Sequence, residues 1–288
     1  MVFVSKDRFV QNIFMRKILL AFDGKNFSNG AFEFAKKLNE MNSILLTGIF
    51  LPQLNYSNLW SYADGVGGPM FVPVLDDSES EELERSMQRF EDLCLKNSIE
   101  YRVRKDFVDL ALPELKKETR FADLLIIGGE SFYENMGTGE PNNYLKEALH
   151  GVECSVVVVP EKFDFPTVNI LTYDGSDSSV FAIKQFAYLF PEFIHNKTIL
   201  LYANEKENES IPSEPYIEEL ASRHFGDLTV TQLNINPKKS FPSWISEKKN
   251  SIIISGSFGR SSISRLFKKS FISDVIKAHR LPIFITHR

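Results

Sequence analysis

The sequence predicts two consecutive open α/β units, each a doubly wound sheet covered by helices on both faces. Three observations carry that expectation. A strand, an Asp-Gly turn and an amphipathic helix occur twice in the same order. A short, wholly apolar strand that ends in glycine also occurs twice. The length, 288 residues, suits two domains of roughly 100–200 residues each.

The first repeat begins at Lys17-Ile-Leu-Leu-Ala-Phe-Asp23-Gly24 and continues into an amphipathic run from Gly30 to Met41. Its counterpart is Val168-Asn-Ile-Leu-Thr-Tyr-Asp174-Gly175, followed by the turn Ser176 to Ser179 and a run from Val180 to Phe190. A shift of 151 positions superposes Asp23 on Asp174 and carries Ala31, Ala35 and Leu38 onto Ala182, Phe186 and Leu189. Those positions have the i, i+4, i+7 spacing of one helical face. Further along, Leu124 to Gly128 is matched by Ile252 to Gly256. Continuous apolar runs of this kind suit parallel strands buried on both faces. Each half then closes with a helical stretch and a last strand, Ser155 to Val159 and Pro282 to Thr286.

The second pair of anchors lies 128 positions apart, so the first half carries extra residues, assigned to an insertion at about 52–80. That stretch has no period and reads as a long surface loop, either a lid or partner surface or a tolerated insertion. The acidic run Asp76 to Glu82 reads as the negatively charged start of a helix. The resulting division is an N-terminal extension over 1–14, a first domain over 15–160, a linker over 161–167 and a second domain over 168–288. The extension is either an appendage or an ordered arm.

Hydrophobic residues make up 43% of the chain and aromatics 12%, enough for packed cores that lean on 25 Phe. Net charge is −5 with signs interspersed, which disfavours nucleic acid as a partner. No apolar run reaches the roughly 18–20 residues of a membrane span, and no signal sequence is evident. Two cysteines, Cys94 and Cys154, without a CxxC pair read as reduced thiols, which points to the cytoplasm. The five histidines have no metal-ligand spacing. There is no Gly-x4-Gly-Lys-(Ser/Thr) loop and no Gly-x-Ser-x-Gly elbow.

The segment that carries chemistry follows the strand ending at Ser255. It reads Gly256-Ser-Phe-Gly259-Arg260-Ser-Ser-Ile-Ser-Arg-Leu-Phe-Lys268-Lys269-Ser270. The glycines permit close approach of backbone N–H groups to an anion. Ser270 stands where a following helix would begin, and Arg260, Lys268 and Lys269 add positive charge to the same segment. Asp174 read alone is a turn or capping residue.

Together the repeat, the Asp-Gly strand ends and this loop resemble the universal stress protein family, over nearly the whole chain from Met15 to Arg288. The family signature is Gly-x2-Gly-x9-Gly-(Ser/Thr). Gly256 and Gly259 match its first two glycines and Ser270 its hydroxyl residue, while Lys269 replaces the third glycine. Lys269 would either crowd the terminal phosphate or neutralise it.

The resemblance implies five strands per copy in a Rossmann-like, adenine nucleotide alpha hydrolase-like fold. It also implies a stress-response regulator that binds ATP or another adenine nucleotide, with or without magnesium. In that reading Asp174 contacts the adenosine and Gly256, Gly259, Arg260, Lys269 and Ser270 hold the phosphates. It further implies pairing of the two last strands as an intramolecular pseudo-dimer, with a further homodimer left open, and an unidentified protein partner. The first half replaces the loop with Gly128-Gly-Glu130-Ser131 and has Asn142 and Asn143 further on, so it is expected to have lost ATP. Catalysis is not expected beyond slow ATP hydrolysis, since no base is identifiable near the loop. The alternatives are a nucleotide-free scaffold with both sites degenerate, and a weak ATPase.

Overall fold

The computed structural model describes residues 16–22, 26–51, 60–62, 70–72, 77–104, 111–129, 151–204, 210–234, 244–245, 247–256 and 281–286. The first half consists of β1 (Arg16–Phe22), α1 (Asn29–Met41), β2 (Ile44–Phe50), β3 (Trp60–Tyr62), β4 (Met70–Val72), α2 (Asp77–Lys96), β5 (Glu100–Arg104), α3 (Ala111–Arg120), β6 (Leu124–Gly128) and β7 (Ser155–Val159). The second half consists of β8 (Val168–Tyr173), α4 (Asp177–Leu189), β9 (Lys197–Asn204), α5 (Glu214–His224), β10 (Asp227–Asn234), β11 (Ser251–Gly256) and β12 (Ile283–Thr286). A 3-10 turn, Pro191–Phe193, follows α4.

Ten of these strands form one sheet in the order β10-β9-β8-β11-β12-β7-β6-β1-β2-β5. Within each half the neighbours are parallel, and both halves follow the same order, third-second-first-fourth-fifth. The halves meet where β12 pairs with β7 antiparallel, with Ile283 opposite Val158, Phe284 opposite Val157 and Ile285 opposite Val156. Ser155 Oγ donates to Thr286 Oγ1 at 3.0 Å beside this junction.

The apolar runs behave as parallel-sheet physics requires, because successive side chains enter opposite faces. Ile18, Leu20 and Phe22 join one core cluster, which takes in α1, α2, α4 and α5. Leu19 and Ala21 join the other, which includes Leu115 of α3 and Ile245. Phenylalanine dominates the first core and spans the halves: Phe34 of α1 lies 5.6 Å from Phe165 of the linker, which lies 5.6 Å from Phe193 beyond α4.

Two sequence expectations are refined. The insertion read as a long surface loop contains a two-stranded antiparallel sheet, with Trp60 opposite Val72 and Tyr62 opposite Met70. Strands of three residues are too short to display a period. Helix α4 begins at Asp177 rather than Val180, because Ser176 is its N-cap and accepts from the Ser179 N–H at 3.2 Å. Both cysteines are free. Burial pushes each thiol up to about 12, helped by the charge of Glu91 at Cys94 and of Asp123 at Cys154. Among the described residues no helix is long and apolar enough to cross a membrane.

A charged contact also ties the halves together. Arg16, the first residue of β1, donates to the Leu189 carbonyl at 2.6 Å and lies 2.7 Å from Glu192, with side chains only 13% and 11% exposed. Removing one member strands the other charge, whereas removing both does not. Glu192→Ala is expected to cost about 3–5 kcal/mol in urea unfolding, and the double replacement Arg16→Met with Glu192→Leu to recover most of it. The high thiol values predict that at pH 7 to 9 Cys94 and Cys154 in the folded protein react with a disulfide reagent far more slowly than the same thiols in the unfolded chain, since the thiolate is the reactive form. The proton stays on until near pH 12, so labelling should track unfolding.

Candidate functional site

In an open α/β sheet the chain leaves adjacent strands in opposite directions at one point of the order, and the crevice there lies at the carboxyl ends of the strands. In the second half that point falls between β8 and β11, which pair in parallel with Ser251 opposite Val168 and Ile254 opposite Leu171. Thr172 Oγ1 fastens the two strands by donating to the Ile254 carbonyl at 2.8 Å. Asp174 follows the last residue of β8 and Gly256 is the last residue of β11, so the fold brings these two sequence candidates to one rim.

The turn after β8 is built around Asp174. Its Oδ1 accepts from the Ser176 N–H at 2.9 Å and from the Ser176 hydroxyl at 2.5 Å, and Ser176 in turn caps α4. Asp174 is half-buried. It therefore acts as the turn residue that a reading of the sequence alone suggests. Among the described residues nothing else bonds its second oxygen, which is left to accept from a ligand hydroxyl or amine.

Gly175 has φ +80°, in the left-handed region, and a Cβ there would come within 2.8 Å of the Pro212 Cβ. Tyr173 Oη donates to the Pro212 carbonyl at 2.7 Å. Burial, followed by the charges of Asp174 and Tyr202, raises the Tyr173 phenol and keeps it a donor. Pro212, in the segment before α5, thus clamps the Asp174 turn from the side of β9.

Gly256 is required for a different reason. A Cβ on it would stand 2.5 Å from the Ser178 carbonyl carbon and 2.7 Å from the Ser179 nitrogen. The first turn of α4 is seated directly on the end of β11, which no larger residue would allow. Gly259, Arg260, Lys269 and Ser270 lie outside the described residues. Tyr173, Ser176 and Pro212 were not singled out from the sequence, although an Asp-Gly turn followed by Ser176 and Ser179 carries a helix-capping signal.

Among the described residues the rim is acidic, with Asp174 and Asp177 at the α4 end and Glu214 at the start of α5. A carboxylate rim suits hydroxyl and amine donors. An anionic ligand would need positive charge from elsewhere. No group of three or more potential metal ligands occurs among the described residues.

The first half differs at the same level. Phe22, which ends β1, stacks on Phe27 at 4.7 Å and on Phe50, which ends β2, at 4.9 Å. Phe90 of α2 packs edge-on against both Phe22 and Phe50 at 6.1 Å. Gly128 ends β6, and the next residue, Gly129, donates to the Val159 carbonyl at 2.8 Å. Asp23, Glu130, Ser131, Asn142 and Asn143 lie outside the described residues.

This arrangement defines a class, the open α/β sheet of third-second-first-fourth-fifth order with its crevice at the first and fourth strands. Within that class the chain has the fold of universal stress proteins. A universal stress protein from Archaeoglobus fulgidus DSM 4304 superposes with a TM-score of 0.69 at 17% identity, over 95% of this chain and 96% of that one. A candidate universal stress protein from Pseudomonas aeruginosa UCBPP-PA14 gives a TM-score of 0.51 at 11% identity, over 95% and 93% of the respective chains. No protein-family model matches the sequence, and no curated protein matches it significantly.

The Gly256 contact yields a direct expectation. Gly256→Ala should lift the first turn of α4 and cost about 1–3 kcal/mol in denaturant unfolding, as overpacking does. The Ser179 amide should lose hydrogen-exchange protection in the same variant.

Proposed function

We propose that the chain is a universal stress protein-like regulator of the stress response that binds ATP or a related adenine nucleotide in its second half. The observation that carries this reading is the placement of Asp174 and Gly256 on one rim at the switch point of the second half. Gly259, Arg260, Lys269 and Ser270 follow Gly256 in the sequence. The recurrence of the strand order supports division into two domains, 15–160 and 168–288, after an extension at 1–14 and around a linker at 161–167. The β7–β12 junction then acts as the interface of an intramolecular pseudo-dimer.

In this reading the Asp174 carboxylate accepts from a ribose hydroxyl or base amine. Backbone amides of the glycine loop and the Ser270 hydroxyl hold phosphate oxygens. Arg260 and Lys269 offset the phosphate charge against the acidic rim, with magnesium accompanying the nucleotide if it is a triphosphate. The stacked phenylalanines at the ends of β1 and β2 support a first half without nucleotide. Occupancy would be read by a protein partner in the cytoplasm, a compartment that the two free thiols favour. Nothing on the described rim is placed as a base towards phosphate, so turnover is at most slow.

Protein purified without added nucleotide and then denatured is expected to release about one adenine nucleotide per chain by chromatography, one ligand serving the one competent half. Titration calorimetry of the emptied protein should give binding that Gly259→Asp and Asp174→Ala each weaken about tenfold or more. An empty protein with no heat of binding would leave the nucleotide-free scaffold as the function. Steady phosphate release abolished by Gly259→Asp would make it a weak ATPase instead.

A further inference from the structure

The ten-stranded sheet ends in two edges of opposite character, β5 and β10. β5 is short, Glu100–Arg104, and its charged residues Glu100, Arg102 and Arg104 are exposed at alternate positions. Arg104 also lies 2.9 Å from Glu118 of α3. Charges on an edge strand keep a further strand from adding to it.

β10 carries no such guard. It pairs with β9 in unbroken register along its whole length, from Asp227 opposite Lys197 to Asn234 opposite Asn204, so no bulge turns the edge aside. Its 8 residues span roughly 27 Å at the rise of an extended strand. The strand reads Asp-Leu-Thr-Val-Thr-Gln-Leu-Asn, with no proline, no lysine and its single charge at the first position. Leu228 and Val230 pack onto one core and Leu233 onto the other, yet all three are only half-buried. Among the described residues no strand lies beyond β10. An edge of this kind presents a row of outward N–H and C=O groups to a further strand.

We propose that β10 is a self-association surface that pairs antiparallel with β10 of a second copy of this chain, extending the sheet across a twofold axis. The strand is complementary to itself. An axis perpendicular to the sheet keeps each face on its own side, so it sets one residue opposite its own counterpart. With the axis at Thr231, Val230 faces Gln232 of the copy and Thr229 faces Leu233, while Asp227 falls beyond the end of the copy's strand. No like charges meet, and Thr–Thr and other β-branched pairs stabilise antiparallel ladders. The chain already joins two edges in this manner, where β12 pairs antiparallel with β7. The guarded β5 edge limits growth: with one edge able to pair, the assembly closes at two chains instead of running on as a fibre. None of this depends on nucleotide binding by the second half.

Sedimentation equilibrium of the full chain should give twice the chain mass, with dissociation on dilution. Thr231→Lys and Thr231→Glu each set like charges opposite one another on the axis. Each should be monomeric at the concentration that gives wild-type dimer, with an unchanged far-UV circular dichroism spectrum. Mixing the two variants should restore a dimer, because Lys then faces Glu. A wild type that stays monomeric at roughly 100 μM, where a micromolar Kd is already saturated, overturns the proposal and leaves the edge to a strand of another protein. A dimer that survives both single variants overturns it too, since the contact then lies elsewhere. Monomeric variants that stay apart on mixing overturn pairing through Thr231.

Amide exchange in the wild type at low and high protein concentration does not depend on any variant folding. Exchange in β10 should slow at the higher concentration while exchange in β5 stays the same. Equal rates in β10 at both concentrations would also overturn the assignment.

Discussion

The antiparallel pairing of β7 with β12 is the constraint on which the rest of the structure depends. A five-stranded parallel sheet has two open edges, and a last strand made of Val156, Val157, Val158 and Val159 is an edge that would aggregate if left bare. The second half ends in an equally apolar strand, Ile283, Phe284 and Ile285. Joining the two removes both edges and leaves one sheet with β5 and β10 at its ends. The direction of pairing follows from the chain: the linker need only pass from the end of β7 to the start of β8, which is why residues 161–167 suffice. Since the linker is short and packed, its side chains become part of the core, as Phe163 and Phe165 do against Phe34.

Once the halves share a sheet, their helices must share a face of it, and the closeness of that packing is set by glycine. Gly30 admits the Pro160 carbonyl and Gly256 admits the Ser178–Ser179 peptide. Both place a helix N terminus over a strand end, but at different strands, the fifth of the first half and the fourth of the second. Helix α4 carries an extra turn relative to the aligned apolar face of α1: Ser176 caps it, whereas Ser28 caps α1, three positions later in the alignment. The duplicated topology therefore does not produce duplicated crevices.

What could be read from the sequence follows the range of the interactions involved. The strands were legible because Ile18 to Phe22 or Ile252 to Ile254 are apolar at every position, a pattern that only burial on both faces explains. The helices were legible from the spacing of Ala31, Ala35 and Leu38. Asp174 and Gly256 were recognisable as candidates, and their convergence follows from the strand order. Their local duties were not recognisable, since Gly256 answers to a peptide of α4 far earlier in the chain. Glu161 looked like linker because its partners Ser28, Asn29 and Gly30 are 131 to 133 positions away. The shelter that Arg16 finds with Glu192 and Leu189 belongs to the other half, 173 or more positions away. β3 and β4 escaped notice because three residues cannot establish an alternation.

The two halves also resolve one electrostatic problem in opposite ways, and this bears on their division of labour. A helix N terminus at a sheet crevice exposes amides that attract an anion. In the first half an internal carboxylate meets that demand, and phenylalanine rings fill the ends of β1 and β2, so the region is satisfied without a ligand. In the second half the demand is met only in part by the Ser176 hydroxyl, and Asp174 and Asp177 surround the helix end with negative charge. A rim with that charge is poorly disposed to a bare phosphate. The same carboxylates suit hydroxyl and amine donors. On the proposed reading, a nucleotide would therefore turn its sugar towards Asp174 and its phosphates away from that carboxylate.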